Sequence, residues 1–130
     1  MAACAIPLNV KIAGDSAMLM LYKIVPAAEW REAYAKGRFA GSPVDRRDGF
    51  IHFSTAQQVE ETAARHFAGK EGLLLVVVDA SGLGEALKWE PSRGGALFPH
   101  LYGVLDMGCV SRVIPLPLGP DKRHVFPPLR

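Results

Sequence analysis

Leu73-Leu74-Leu75-Val76-Val77-Val78 is an unbroken apolar run, β-branched in its second half and closed by Asp79. With no polar residue at every second position, it reads as a central strand covered on both faces. The segments on either side decide what covers it. Upstream, Thr55 with Gln58 three residues on forms a capping-box signature. Val59, Ala63 and Phe67 then recur at helical spacing, and Gly69 marks the stop. Further upstream lies a first strand over 18–25, ended by Pro26. A helix follows in which Ala27, Trp30, Ala33 and Tyr34 share a face and which Gly37 ends. The turn-rich, charged stretch 41–48 reads as a surface loop, and a short strand follows over 50–53. Downstream come a turn at 81–84, a brief strand over 88–90 stopped by Pro91, and a polar loop over 92–95. Strands over 100–105 and 110–115 and a proline-rich extended tail complete the chain.

Helices early and strands late do not fit a doubly wound parallel sheet. The order predicts an α+β fold of two helices packed on a mainly antiparallel, split sheet. With 130 residues there is room for one domain, over 18–130, with residues 1–17 as an N-terminal extension. The 49% hydrophobic and 22% charged composition is that of a globular protein. A net charge of +2 gives no basic face for nucleic acid, and no stretch reaches the length of apolar residues that a membrane helix needs. Cys4 and Cys109 make no disulfide framework; Cys109 reads as a buried thiol. With no secretion signal visible, the expected location is cytoplasmic.

Polar side chains at strand ends and in loops supply the candidate site. His52 lies between Ile51 and Phe53, so alternation turns it to the opposite face together with Ser54. It reads either as a core histidine bonded to backbone or as a ligand donor or general base. Ser54 and Thr55 open a helix whose free N–H groups would suit an anion. Glu90, beside Trp89, is by default an exposed carboxylate, but could have a raised pKa or hold a sugar hydroxyl. Arg93 sits between Ser92 and two glycines and could clamp a phosphate or carboxylate. His100 and Tyr102 alternate onto one face, and Tyr22 would add an aromatic wall. There is no complete dinucleotide fingerprint, no phosphate loop and no metal-ligand spacing among the four histidines. A Ser54–His52–Glu90 triad is conceivable but lacks a nucleophile elbow.

The same segments carry a resemblance. Leu21-Tyr22-Lys23-Ile24, the stretch from Asp48 to Thr55, Trp89-Glu90, and Phe98 to Gly103 resemble, in order, the family known as domain of unknown function 952. The likeness runs from about Leu21 to Leu116. It implies an ADP-ribosyltransferase-like fold, a split sheet whose cleft holds NAD. In such transferases a His or Arg comes from the first strand, a Tyr or Ser from a middle strand, and a catalytic Glu from a later one. Here the first strand offers Tyr22 and Lys23, Phe53-Ser54-Thr55 fits the middle position loosely, and Glu90 lies ahead of His100 and Tyr102 rather than after them.

These readings together predict a small-molecule pocket for an anionic or nucleotide-like ligand, lined by Tyr22, His52, Ser54, Thr55, Glu90, Arg93, His100 and Tyr102. The enzymatic alternative is ADP-ribosyl or related ribose/phosphate transfer from NAD with Glu90 or His52 as the working group. A third is a protein-interaction module using the tail and the N-terminal segment.

Overall fold

The computed structural model describes residues 19–129, apart from the side chain of Arg93; the expected extension over 1–17 lies outside the described residues, as does Met18. The first half of the chain runs β1 (Met20–Pro26), α1 (Ala27–Lys36), β2 (Arg38–Phe39), α2 (Pro43–Asp48), β3 (Ile51–His52) and α3 (Val59–His66). The second half runs β4 (Leu73–Asp79), β5 (Leu87–Pro91), β6 (Leu97–Leu101), β7 (Leu105–Asp106) and β8 (Val110–Leu116), with short 3-10 turns between.

β4 is the centre of an antiparallel sheet of order β1-β4-β8, with Tyr22 opposite Val77 and Leu75 opposite Ile114. Strand alternation sends successive residues to two different cores. Leu21, Val25, Val76 and Val78 pack with Trp30 and Ala33 of α1 and with Phe39. Tyr22, Ile24, Leu73, Leu75 and Val77 pack with Val59 and Ala63 of α3. The unbroken apolar run is therefore a strand that both cores share, as its neighbour β1 is. Cys109 is buried in the α1 core, as its apolar surroundings in the sequence suggested. Among the described residues no helix is long and apolar enough to cross a membrane.

A second antiparallel sheet has the order β3-β6-β5, and β2 pairs with β7. The two three-stranded sheets meet at one bridge, where Tyr22 and Ser54 exchange N–H···O bonds of 2.8 Å each. Beyond that bridge they diverge, and the cleft opens there. The α+β, mainly antiparallel layout agrees with the sequence reading; three particulars do not. The charged stretch 41–48 contains a third helix, α2, because Pro43 opens it and the Asp45 carboxylate takes the Ser42 N–H at 2.8 Å. The strand expected over 100–105 is instead β6, displaced toward its N-terminus, plus the short β7, so Tyr102 falls in the bend between them. Pro99 lies inside β6, donates nothing, and still accepts the Phe53 N–H at 3.0 Å. Finally, α3 starts at Val59 after a turn. Of the expected capping box the structure forms the Gln58 arm, in which Oε1 accepts from the Thr55 N–H at 3.0 Å.

Candidate functional site

The register of the second sheet places His52 directly opposite His100. Their rings meet edge to face with centroids 5.4 Å apart. Phe50 covers both: it stacks on His100 at 4.1 Å and 23°, and lies 4.6 Å from the His52 ring and 5.1 Å from that of Tyr102.

Each imidazole is held by a carboxylate. Asp45, 1% exposed on α2, approaches His52 Nδ1 at 2.6 Å and also accepts from the His52 backbone N–H at 3.2 Å. Lys23 Nζ, on β1, reaches the other Asp45 oxygen at 3.0 Å and donates to the His52 carbonyl at 2.9 Å. One buried ion pair thus ties β1, α2 and β3 together around the histidine. Burial alone pushes the Asp45 carboxyl up, but the His52 hydrogen bond, the Lys23 charge and the Ser42 N–H outweigh it and hold it at about 2. Burial draws Lys23 below its usual value against the opposing pull of Asp45. The second His52 nitrogen, Nε2, lies 3.0 Å from Asp48 Oδ2, while Arg47 Nε donates to Asp48 Oδ1 at 3.0 Å. The Arg47 hydrogen bond is the main cause that keeps the Asp48 carboxyl below its usual value.

His100, 4% exposed, pairs through Nδ1 with Glu90 Oε1 at 2.7 Å, and Tyr102 donates to the same oxygen at 2.8 Å. The His100 and Tyr102 hydrogen bonds draw the Glu90 carboxyl down, and accepting them raises the Tyr102 phenol. The suggestion that Trp89 raises Glu90 is therefore corrected: strand alternation turns the indole away, and the groups Glu90 meets are hydrogen-bond donors.

Beside these rings lies a cleft of about 490 Å³. Tyr22, His52, Ser54 and His100 line it, with Val59, Phe67 and Phe98 as its apolar wall. Glu90, Tyr102 and Thr55 are not in its lining; Glu90 hydrogen-bonds to His100, and Tyr102 to Glu90. Ser54 hydrogen-bonds with Thr62 at 3.1 Å, so the contacts made are Ser54–Thr62, His52–Asp45 and Glu90–His100 rather than a triad. At the anion site expected at Thr55, three of the N–H groups have partners within the turn. The Thr55 N–H is taken by Gln58, and those of Gln58 and Val59 by the Thr55 carbonyl. The side chain of Arg93 lies outside what is described. Among the described residues no group of three or more His, Cys, Asp or Glu side chains is arranged to hold a metal ion.

Asp45, Asp48 and Phe50 are the site residues that sequence reasoning missed. Ser42-Pro43-Val44-Asp45 carries the signal for the first: a cap residue, a proline at the first helical position and an acid at the third.

A family model described as "Protein of unknown function (DUF952)" matches residues 24–113. The crystal structure of protein CC0527 from Caulobacter crescentus is 52% identical with a TM-score of 0.79, covering 82% of this chain and 93% of that one. The solution structure of the same protein is 53% identical with a TM-score of 0.73, covering 80% and 90%. No curated protein matches.

Proposed function

The chain belongs to the DUF952 family of proteins of unknown function, and from the geometry of its cleft we propose that it binds a small anionic, nucleotide-like ligand in the cleft lined by His52 and His100. The observation that carries this reading is the facing pair of imidazoles, 5.4 Å apart, each with Nδ1 against a carboxylate. A carboxylate at Nδ1 fixes the orientation of each ring, and the opposite nitrogen of His52, Nε2, lies beside Asp48 in the cleft lining. The cleft volume of about 490 Å³ falls within the usual size of small-molecule sites. Val59, Phe67 and Phe98 offer a wall for a heterocycle, and the Ser54 and Thr62 hydroxyls offer polar contacts.

A second reading, ribosyl transfer from NAD, is favoured by one observation. Glu90 is an ionised carboxylate fixed by His100 and Tyr102 at the edge of the site. So placed, it would hold a ribose hydroxyl while positive charge develops at the anomeric carbon. The divergence of the two sheets beyond the Tyr22–Ser54 bridge supports the ADP-ribosyltransferase-like reading of the fold.

A thermal-shift series with NAD, ADP-ribose, AMP and sugar phosphates tests both. Ligand at 100 times its dissociation constant adds about 2.7 kcal/mol, a shift that His52→Asn should abolish. Unmoved melting with every compound would sink the ligand-site reading. Nicotinamide release lost in Glu90→Gln would support the transfer reading; its absence with NAD bound would leave binding alone.

A further inference from the structure

Two carboxylates touch His52, and they differ in how firmly they are built in. Asp45 is enclosed, 1% exposed, and bonded to Ser42, Lys23 and two nitrogens of His52. The Asp48 side chain is 30% exposed and lies 3.0 Å from His52 Nε2 and 3.0 Å from Arg47 Nε, the arginine itself 73% exposed; with Nδ1 directed at Asp45, Nε2 donates to it when the imidazole is protonated. An imidazole and a guanidinium converging on two oxygens of one planar anion is how proteins take a ligand carboxylate or phosphate. The chain does little to hold Asp48 there. It is the last residue of α2, where the helix dipole disfavours negative charge, and Gly49 follows at a φ of 90°.

We infer that the position filled by Asp48 Oδ2 is the oxyanion subsite of the cleft, and that Asp48 is an internal carboxylate which a ligand's phosphate or carboxylate displaces from His52 Nε2. This rests on the ligand-site reading and adds to it the chemistry of one subsite. The exchange replaces one oxyanion by another on the same two donors, so its cost is small: the released carboxylate passes into water. While Asp48 stays near, its charge opposes the incoming anion. Asp48 thereby lowers affinity for anions and sets a threshold that a neutral ligand would not meet.

The test is a titration of the full chain with AMP, read through the imidazole nitrogen resonances of His52 and His100. Wild type is compared with Asp48→Ala and with Asp48→Asn, which keeps an acceptor and removes the charge. Removing a like charge a few ångströms from the bound phosphate should tighten AMP binding about tenfold in Asp48→Ala, and by less in Asp48→Asn. Both variants lose a carboxylate from a helix C-terminus, so both should fold, and a thermal melt checks this. Adenosine, lacking the phosphate, should bind wild type and Asp48→Ala alike. Equal or weaker AMP binding by Asp48→Ala, with the His52 signal still responding in wild type, overturns the subsite inference alone. Silence of both histidines in all three proteins overturns the ligand-site reading with it.

Discussion

Replacing Asp45 by Asn should cost between about 2 and 5 kcal/mol of folding stability at pH 7. The lower bound comes from the proton. Asp45 titrates near 2 instead of its ordinary 3.8, and at about 1.4 kcal/mol per unit that is about 2 kcal/mol of preference for the ionised form in the folded chain. Asparagine resembles the protonated acid in shape but has one acceptor oxygen where Asp45 uses two, Oδ2 for the Ser42 N–H and Oδ1 for the His52 N–H, so it forfeits at least this. The upper bound is the cost of leaving Lys23, 8% exposed, without its counter-charge. The sign with pH follows from the folded pKa being depressed. The contribution is complete above 3.8, and it is lost as pH falls through about 2, because the unfolded chain takes up the proton first. Urea unfolding of wild type and Asp45→Asn, measured from pH 7 downward, should therefore show a gap that narrows by about 2 kcal/mol at the acid end. Other carboxylates titrate in both proteins and largely cancel in that difference. Lys23→Met added to Asp45→Asn should recover part of the loss, since it removes the stranded charge. A gap under about 1 kcal/mol at pH 7, or one independent of pH, would refute the account of Asp45 as a buried ionised group.

The remaining expectations concern the second carboxylate, the cover and the backbone. Glu90→Gln should bring the Tyr102 phenol back down toward its ordinary value of 10.0, read as phenolate absorbance against pH; an unmoved titration would mean that the Glu90 hydrogen bond is not formed in solution. Phe50→Leu should cost about 1 kcal/mol in urea unfolding, the scale of an aromatic stacking pair, and should weaken AMP binding more than it weakens the fold. Gly41→Ala should be more damaging than Gly49→Ala. Both glycines have positive φ, but a methyl at Gly41 meets Asp45 Cβ at 2.8 Å whereas one at Gly49 meets nothing within 4 Å. Thermal melts should rank them so, with Gly49→Ala costing about 1–2 kcal/mol and Gly41→Ala also moving the His52 resonances.

Much of this arrangement was legible in the sequence, for identifiable reasons. The run over 73–78 gave the central strand because its alternation is absent, and the structure shows each half of the strand's side chains entering a different core. His52, Ser54 and His100 were found because a polar residue inside an apolar strand has few places to go. What escaped was α2. Its six residues carry four charges and one apolar side chain, Val44, so no hydrophobic stripe betrays a helix. Its inward-facing residue is an aspartate, which composition assigns to solvent. Burial of Asp45 is made tolerable by His52, by Lys23, 22 positions earlier, and by the Ser42 N–H, and no local pattern encodes the first two. Glu90 was found but its environment was misread, since the sequence neighbour Trp89 is not its spatial neighbour. The groups that set its charge arrive from β6 and from the bend after it.

The Lys23–Asp45 pair is poorly explained as a source of stability. A buried ion pair commonly does no better than two well-packed apolar residues, because desolvation of both charges offsets their attraction. An apolar pair would not supply an acceptor 2.6 Å from His52 Nδ1 or a donor 2.9 Å from the His52 carbonyl. Those contacts act on the main chain and the ring of one residue, and they come from two elements, β1 and α2, that the chain must bring together for other reasons. Glu90 orients His100 without any such burial, being reached from its own hairpin. The two histidines are therefore fixed to different degrees: His100 by the sheet that carries it, His52 by a charge cluster that spans the split. It is at His52, whose backbone N–H and carbonyl are taken by Asp45 and Lys23, that side-chain charge joins the sheet in orienting the ring.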